Sequence, residues 1–351
     1  MTSGSEPLVG VFTPVYNGEK YLRECIESVL NQTYQRWEYV IVNNRSTDRT
    51  REIAEGYASR DPRIRVLNNE QFVSAMRNHE IGFRSIPAES KYCKVVHADD
   101  WLFPECLSKM VALAEAHPSV GVIAAYGLEN DRVVWDGLPY PSAVVPGRDI
   151  CRRHLLGGSF VFGSPTSVMF RADLVRGRRP FYREQYPMWA DLDGCLDVLR
   201  DTDFGFVHQV LTFTRKHDEA TSSFAHRFDT FIFGQLEVLQ RHGPVYLAPT
   251  EYRQQLGALL GQYRRFLGQS VFKRPRDREF WAYHLGGLRE LGHPIGRAAL
   301  LVAAAAAVVE VVTYPFRAIR KVQIRDAAAR RSHARPAPAS TSPEVRADAL
   351  R

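Results

Sequence analysis

Four consecutive residues, His97-Ala98-Asp99-Asp100, follow an apolar run through Val95 and Val96. An apolar strand that ends on adjacent carboxylates delivers them into the crevice where open α/β sheets bind ligands. Carboxylates placed there suit a hard divalent cation, which in turn holds phosphate oxygens. An Asp-Asp pair is also an ordinary turn or helix cap, so its meaning depends on the company it keeps.

Three other stretches supply that company. Thr13-Pro14-Val15-Tyr16-Asn17 closes the first apolar run, and its backbone amides and Tyr16 ring can hold a nucleobase and ribose; an Asn-capped turn explains it equally well. Val42-Asn43-Asn44-Arg45-Ser46-Thr47-Asp48 closes the second. Its amides both donate and accept, as reading a base edge requires, although Ser46 and Asp48 would cap a helix without any ligand. Arg77-Asn78 stands on the third helical segment, ahead of Asp99.

The elements that must position these groups alternate regularly. Leu8 to Thr13, Trp37 to Val42, Ile64 to Leu67 and Tyr92 to Val96 read as buried strands. Between them, Glu19 to Gln32 carries Leu22, Cys25, Ile26, Val29 and Leu30 on one helical face, with Asn17 as N-cap. A second helix opens at Ser46-Thr47-Asp48 with Ile53, Ala54 and Tyr57 buried, and a third spans Ser74 to Ser85. The pattern predicts an α/β fold, a mostly parallel sheet flanked by helices. A helix over Glu105 to His117 and a strand over Val120 to Ala125 extend it; an irregular region then runs to about Tyr140, and Gly157 to Phe170 reads as strand.

The last third differs. Tyr252 to Leu267 is amphipathic, and Ala298 to Val309 is an apolar run of twelve closed by Glu310. Twelve residues fall short of the ~20 that span a bilayer. A buried helix and a membrane-surface helix both fit, the second favoured by Arg317, Arg320, Lys321, Arg325, Arg330, Arg331 and Arg335 downstream. From Ser332 onward the Ala, Pro, Ser and Arg composition predicts disorder.

The 351 residues are 45% hydrophobic and 24% charged, ordinary for a globular chain. The net charge of +7 implies an acidic partner. Its C-terminal clustering, without interleaved aromatics, fits an anionic membrane surface better than nucleic acid. Five scattered cysteines with no Cys-x-x-Cys pair argue against a disulfide framework and a structural zinc site. The first residues lack the basic and apolar regions of a signal peptide, so a cytoplasmic protein, peripheral on the inner membrane face, is expected.

In order and spacing, these motifs resemble family 2 glycosyltransferases, inverting enzymes with the GT-A nucleotide-diphospho-sugar fold. Pro14 to Asn17 is similar to the family's Pro-Val-Tyr-Asn, Val42 to Asp48 to its Val-Asp-Asp-Gly-Ser-Thr-Asp, and Met76-Arg77-Asn78 to its Ala-Arg-Asn helix. His97-Ala98-Asp99-Asp100 is similar to the Asp-Ala-Asp-Asp metal motif. Pro165 to Arg171 resembles the acceptor-side strand, and Ala190-Asp191-Leu192-Asp193 stands where the family has its catalytic base. Leu211 to His217, followed by Ser222, resembles the closing Tyr-Arg-x-His…Ser.

The resemblance implies a GT-A domain over residues 1–225, a helical C-terminal extension over 226–331 and a tail over 332–351. It implies Asp191 as general base, with Asp193 and Asp197 as nearby rivals. Asp99 and Asp100 would hold Mn2+ or Mg2+. Thr13, Pro14, Val15, Tyr16, Asn44, Arg77, His97, Ala98, Asp99, Arg215 and His217 would contact a nucleotide-sugar whose sugar passes to a glycan or lipid-linked acceptor. Three departures stand out: Asn43-Asn44 for an acidic pair, Arg45 for a glycine with its easy access to positive φ, and His97 for the first acid of the metal motif. These departures also fit a non-catalytic nucleotide-sugar binding protein. A sugar-phosphate nucleotidyltransferase would carry a Gly-rich basic loop after the first strand, and Pro14 to Gly18 is not one.

Overall fold

The structure, a computed structural model, describes residues 6–184, 189–216 and 227–309. Two compact units are present, the first ending at Leu260 and the second starting at Gly261.

The first unit is built on a ten-stranded sheet. Strands β1 (Val9–Val15), β2 (Trp37–Asn43), β3 (Ile64–Asn68) and β4 (Tyr92–Val95) alternate with helices α1 (Leu22–Leu30), α2 (Thr50–Ala58) and α3 (Ala75–Ser85). Then come β5 (Trp101–Leu102), α4 (Cys106–Ala116), β6 (Val120–Glu129), β7 (Arg132–Val134), β8 (Val144–Val145) and α5 (Gly147–Leu155). Strand β9 (Val168–Arg171), α6 (Ala172–Arg176), α7 (Ala190–Leu199), β10 (Asp203–Thr214) and α8 (Phe231–Tyr246) complete it. The sheet order is β3-β2-β1-β4-β9-β6-β10-β5, with β7 on β6 and β8 on β10. The parallel arrangement is concentrated in β3-β2-β1-β4; beyond β4 only β6–β10 is parallel and the sheet is mixed.

Strand β1 lies between β2 and β4, so the chain leaves it in both directions. A crevice opens at such a switch point, outside the carboxyl ends of the strands. Val9, Val11 and Val15 face α1 and α4, while Phe12 faces α3. Helix α3 lies close on β1 because Gly82 has no side chain: a Cβ there would sit 2.2 Å from the Phe12 ring.

Three expectations are corrected. Asn17 does not cap α1, which starts at Leu22 behind Tyr21. Asn17 instead turns at φ +50°, its Oδ1 accepting from Thr47 N at 2.8 Å, while Ser46, Asp48 and Thr50 accept from the amides of Asn17, Glu19 and Gly18. The irregular region begins later than expected, since β6 continues to Glu129 and turns through Asn130 (φ +52°) into β7. Within 157–170 only the end is strand, because Gly157 and Gly163 take positive φ and Pro165–Ser167 form a 3-10 turn. Helix α8 packs on α7 within this first unit through polar groups described below.

The second unit holds the rest of α9 (Pro249–Lys273), α10 (Arg278–Glu290) and a helix over 297–309. That last helix is buried along only part of its surface: Ala304 and Ala307 are buried, whereas Leu301, Val302, Val308 and Val309 are exposed. Small residues face inward because the contact is tight; a Cβ on Gly268 would lie 2.3 Å from the Ala303 carbonyl oxygen. Among the described residues no helix is long and apolar enough to cross a membrane.

Candidate active site

A cavity of about 600 Å³ opens at the carboxyl ends of β1, β2 and β4. Pro14, Val15, Tyr16 and Asn44 form one wall, His97, Ala98, Asp99 and Asp100 the middle, and Tyr182, Asp191 and Arg215 the far side. The structure thus brings together nine of the predicted residues and Asp191 with them.

Two predicted residues lie elsewhere. Thr13 shares the parity of Val9 and Val11, so its hydroxyl is buried under α1, 2.6 Å from the Tyr39 hydroxyl and donating to the Val96 carbonyl at 2.7 Å. Arg77 is exposed on the first turn of α3 and does not line the cavity; its neighbour Asn78 does. His217 and Ser222 lie outside the described residues.

At the mouth, Tyr16 and Phe72 meet edge to face at 4.8 Å, and both are exposed. Asn44 builds this mouth: its Oδ1 accepts from Val73 N at 3.0 Å and its Nδ2 donates to the Val73 carbonyl at 2.8 Å. Its amide is thereby committed to the loop that carries Phe72. Arg45 does occupy the left-handed region in place of glycine, at φ +56°.

In the middle, Asp100 is buried and accepts from Thr166 Oγ1 at 2.6 Å and from Arg215 N at 3.0 Å. Burial, and then the charge of Asp99, push its carboxyl well above the usual range. Behind it, the fully buried Lys94 donates to the Thr166 and Val168 carbonyls, and burial lowers its amine to about 8. Arg215 donates to the Asp99 carbonyl oxygen at 3.2 Å and to Glu24 at 2.6 Å, its guanidinium 4.2 Å from the Tyr21 ring centre.

One ligand atom from each of His97, Asp99 and Asp100 lies within 4.8 Å of the others. That separation is about twice a metal–oxygen bond of roughly 2.1–2.6 Å, and two carboxylates so close call for a counter-charge. The residues present therefore fit a divalent cation. His97 carries a further feature: its Nε2 lies 2.9 Å from Nε2 of His79, a residue that sequence reasoning missed. Burial, and then the neighbouring His97 imidazole, which disfavours a second positive charge, lower the His79 imidazole to about 3.

On the far side, Asp191 is half-buried at the start of α7, and burial pushes its carboxyl up to about 6. Its Oδ1 accepts from Leu192 N at 2.8 Å. The hydroxyl of Tyr182, which also lines the cavity, is buried with no hydrogen-bond partner among the described residues. The rivals Asp193 and Asp197 are structural. Asp193 is met by Arg183, by Arg241 at 2.8 Å and by His242 Nε2 at 2.8 Å, and Asp197 by Arg183 at 2.7 Å, tying α7 to α8. Trp189, just ahead of α7, packs over Gly234 of α8, where a Cβ would lie 1.8 Å from its ring.

This geometry can be set against known proteins. Residues 10–178 match the family model for glycosyl transferase family 2. Over those residues the chain is similar to family 2 glycosyltransferases. An uncharacterized glycosyltransferase of Haemophilus influenzae is 26% identical over 224 residues, covering 62% of this chain and 68% of the relative. Several other curated relatives, among them the putative glycosyltransferases EpsH and EpsE of Bacillus subtilis, are matched over only 35% and 55% of their own length. The crystal structure of S. aureus TarS 1-349 in complex with UDP-GlcNAc superposes with a TM-score of 0.61 at 19% identity, covering 86% of this chain and 88% of that one. The mannosyltransferase PcManGT from Pyrobaculum calidifontis, in complex with GDP-Man and Mn2+, gives 0.50 at 14% identity, covering 91% and 84%. The fold is GT-A, with the mixed half of the sheet beside a strand-end crevice.

Proposed function

We propose that the protein is an inverting glycosyltransferase that moves a sugar from a nucleoside-diphosphate donor to a hydroxyl of a glycan or lipid-linked acceptor. The observation that carries this reading is the single cavity holding exposed aromatics at its mouth, paired acids in its middle and a separate carboxyl, Asp191, on its far wall. The UDP-GlcNAc bound by TarS and the GDP-Man and Mn2+ bound by PcManGT support the donor class.

Tyr16 and Phe72 would stack on the base, and the amides after β1 would hold the ribose. Asp99 and Asp100, with His97, would hold Mn2+ or Mg2+, which when bound neutralises the departing diphosphate. Arg215, already paired with Glu24, holds the acidic loop in place through its backbone bond to Asp100. Asp191 would take the proton of the acceptor hydroxyl from the face opposite the diphosphate, which inverts the anomeric centre. A carboxyl raised to about 6 is ionised at neutral pH and more basic than an ordinary aspartate, as a general base requires.

The setting we propose is the cytoplasmic face of an anionic membrane, in cell-surface polysaccharide or glycolipid synthesis. The exposed Leu301, Val302, Val308 and Val309, followed in sequence by the Arg-rich stretch 317–335, support it. Truncation after residue 295 should abolish sedimentation with anionic vesicles; undiminished sedimentation would refute this setting.

The function itself is tested by calorimetric titration of UDP, dTDP, GDP and CDP, with and without Mn2+, into the native protein and Asp99→Ala. Mn2+-dependent binding of one nucleotide, lost in the variant, is expected. Binding of none overturns the donor class, and metal-independent binding in both proteins overturns the cation site.

A further inference from the structure

We propose that His79 is a positioning residue that fixes the tautomer of His97, giving the cation site a nitrogen donor that selects Mn2+ over Mg2+. The inference rests on the cation reading above and goes on to the identity of the ion.

The protons can be placed one after another. His79 Nδ1 lies 2.8 Å from the Ala75 carbonyl oxygen, which can only accept, so Nδ1 carries a proton. The His79 ring is buried on α3 against the rings of Tyr182 and His97. A neutral imidazole protonated at Nδ1 has its lone pair on Nε2. The proton in the 2.9 Å contact between the two Nε2 atoms therefore belongs to His97. A neutral His97 with its proton on Nε2 is left with a bare lone pair on Nδ1, the form a metal ligand needs.

The rest of His97 is held as firmly. Its backbone N–H donates to Thr166 Oγ1 at 3.1 Å, and the same hydroxyl donates to Asp100. His79 and Thr166 thus hold the ring and the backbone from opposite sides, and His97, Asp99 and Asp100 stay within one ion's reach. Hydrogen bonding to the far nitrogen of a ligating histidine is how outer groups orient it. An imidazole nitrogen among carboxylates shifts preference away from Mg2+, which favours all-oxygen octahedral sites, toward first-row transition ions. The His97 departure from an acidic motif then becomes a change of ion preference rather than a lost ligand.

Two measurements on the full chain test this. Long-range 1H–15N spectra of 15N-histidine-labelled, metal-free protein should show His97 protonated on Nε2 and His79 on Nδ1, with assignments from single substitutions. His97 protonated on Nδ1 overturns the proposal whatever the metals do. Titrations with Mn2+ alone and Mg2+ alone should then show Mn2+ bound at least about tenfold more tightly. His97→Asp should collapse that ratio. His79→Phe should weaken Mn2+ binding about 10- to 100-fold at unchanged Tm, and His79→Gln, which keeps an acceptor near the Nε2 position, should restore part of it. Equal Mn2+ affinity in native protein and His79→Phe overturns the positioning role. Absence of Mn2+ binding in the native protein overturns the cation reading itself, an outcome the tautomer spectra keep distinct.

Discussion

The two halves of the sheet contribute to the cavity by different means. In β3-β2-β1-β4 the contributing groups follow directly from parallel strand ends: Pro14 to Gly18 at the end of β1, Asn44 after β2, His97 to Asp100 after β4. In the mixed half the contributors are a loop tyrosine, Tyr182, the first turn of a helix, Asp191, and the residue after β10, Arg215. The parallel half places chemistry by a repeated local rule. The mixed half places it by tertiary closure, with the Asp193–Arg183 ion pair and the Asp193–His242 hydrogen bond holding the elements in position. Two aspartates two residues apart on α7 consequently have opposite characters.

That contrast yields the largest predicted effect. Asp191→Asn should lower sugar transfer about 10²- to 10⁴-fold while nucleotide affinity and Tm stay put. Asp193→Asn should leave transfer by the folded protein intact yet cost about 3 kcal/mol of stability, because two arginines lose a buried partner. Equal loss of transfer in both variants would erase the distinction. The native pH profile sharpens it. Burial raises the Asp191 pKa to about 6, so the ionised base is half populated there and falls tenfold for each pH unit below. Transfer should rise with pH through about 6, and a flat profile from pH 5 to 8 would remove Asp191 as the base.

A smaller effect probes the parallel half. Phe72→Ala should cost about 1 kcal/mol of nucleotide affinity, roughly fivefold, measured by the same titration. An unchanged Kd would show that the aromatic pair at the mouth does not touch the base. The smallest effect is expected at Thr13→Val, which should leave nucleotide affinity unchanged and lower stability by about 1 kcal/mol for the lost hydroxyl bonds. A weaker nucleotide Kd in that variant would return Thr13 to the site.

The sequence carried the strand-end residues because apolar runs ending in polar ones are a one-dimensional signal. Thr13 was misplaced although period-two alternation puts it with Val9 and Val11, on the face under α1. Asn17 and Asn44 showed polar groups but not their partners, which lie about thirty residues away in Thr47 and Val73. His79 left a trace: it stands four residues after Ala75 on the face of α3 that also buries Phe83. Nothing local distinguishes it from a core histidine until His97, eighteen residues on, meets it. Asp191 was separable from Asp193 only by family resemblance, since both stand in the first turn of α7. The hairpin through Asn130 was legible in its Asn-Asp turn and was passed over for lack of strong apolar alternation.

Gly234 stands 43 positions beyond Asp191 and does not line the cavity, yet the Trp189 indole lies against its bare backbone. Trp189 is the residue from which α7 departs. The absence of a methyl group on α8 thus sets where the preceding helix, α7, begins, and with it the place of Asp191 in the cavity wall. In a catalogue of tolerated substitutions, position 234 should behave like a member of the active site, although it carries no functional group at all.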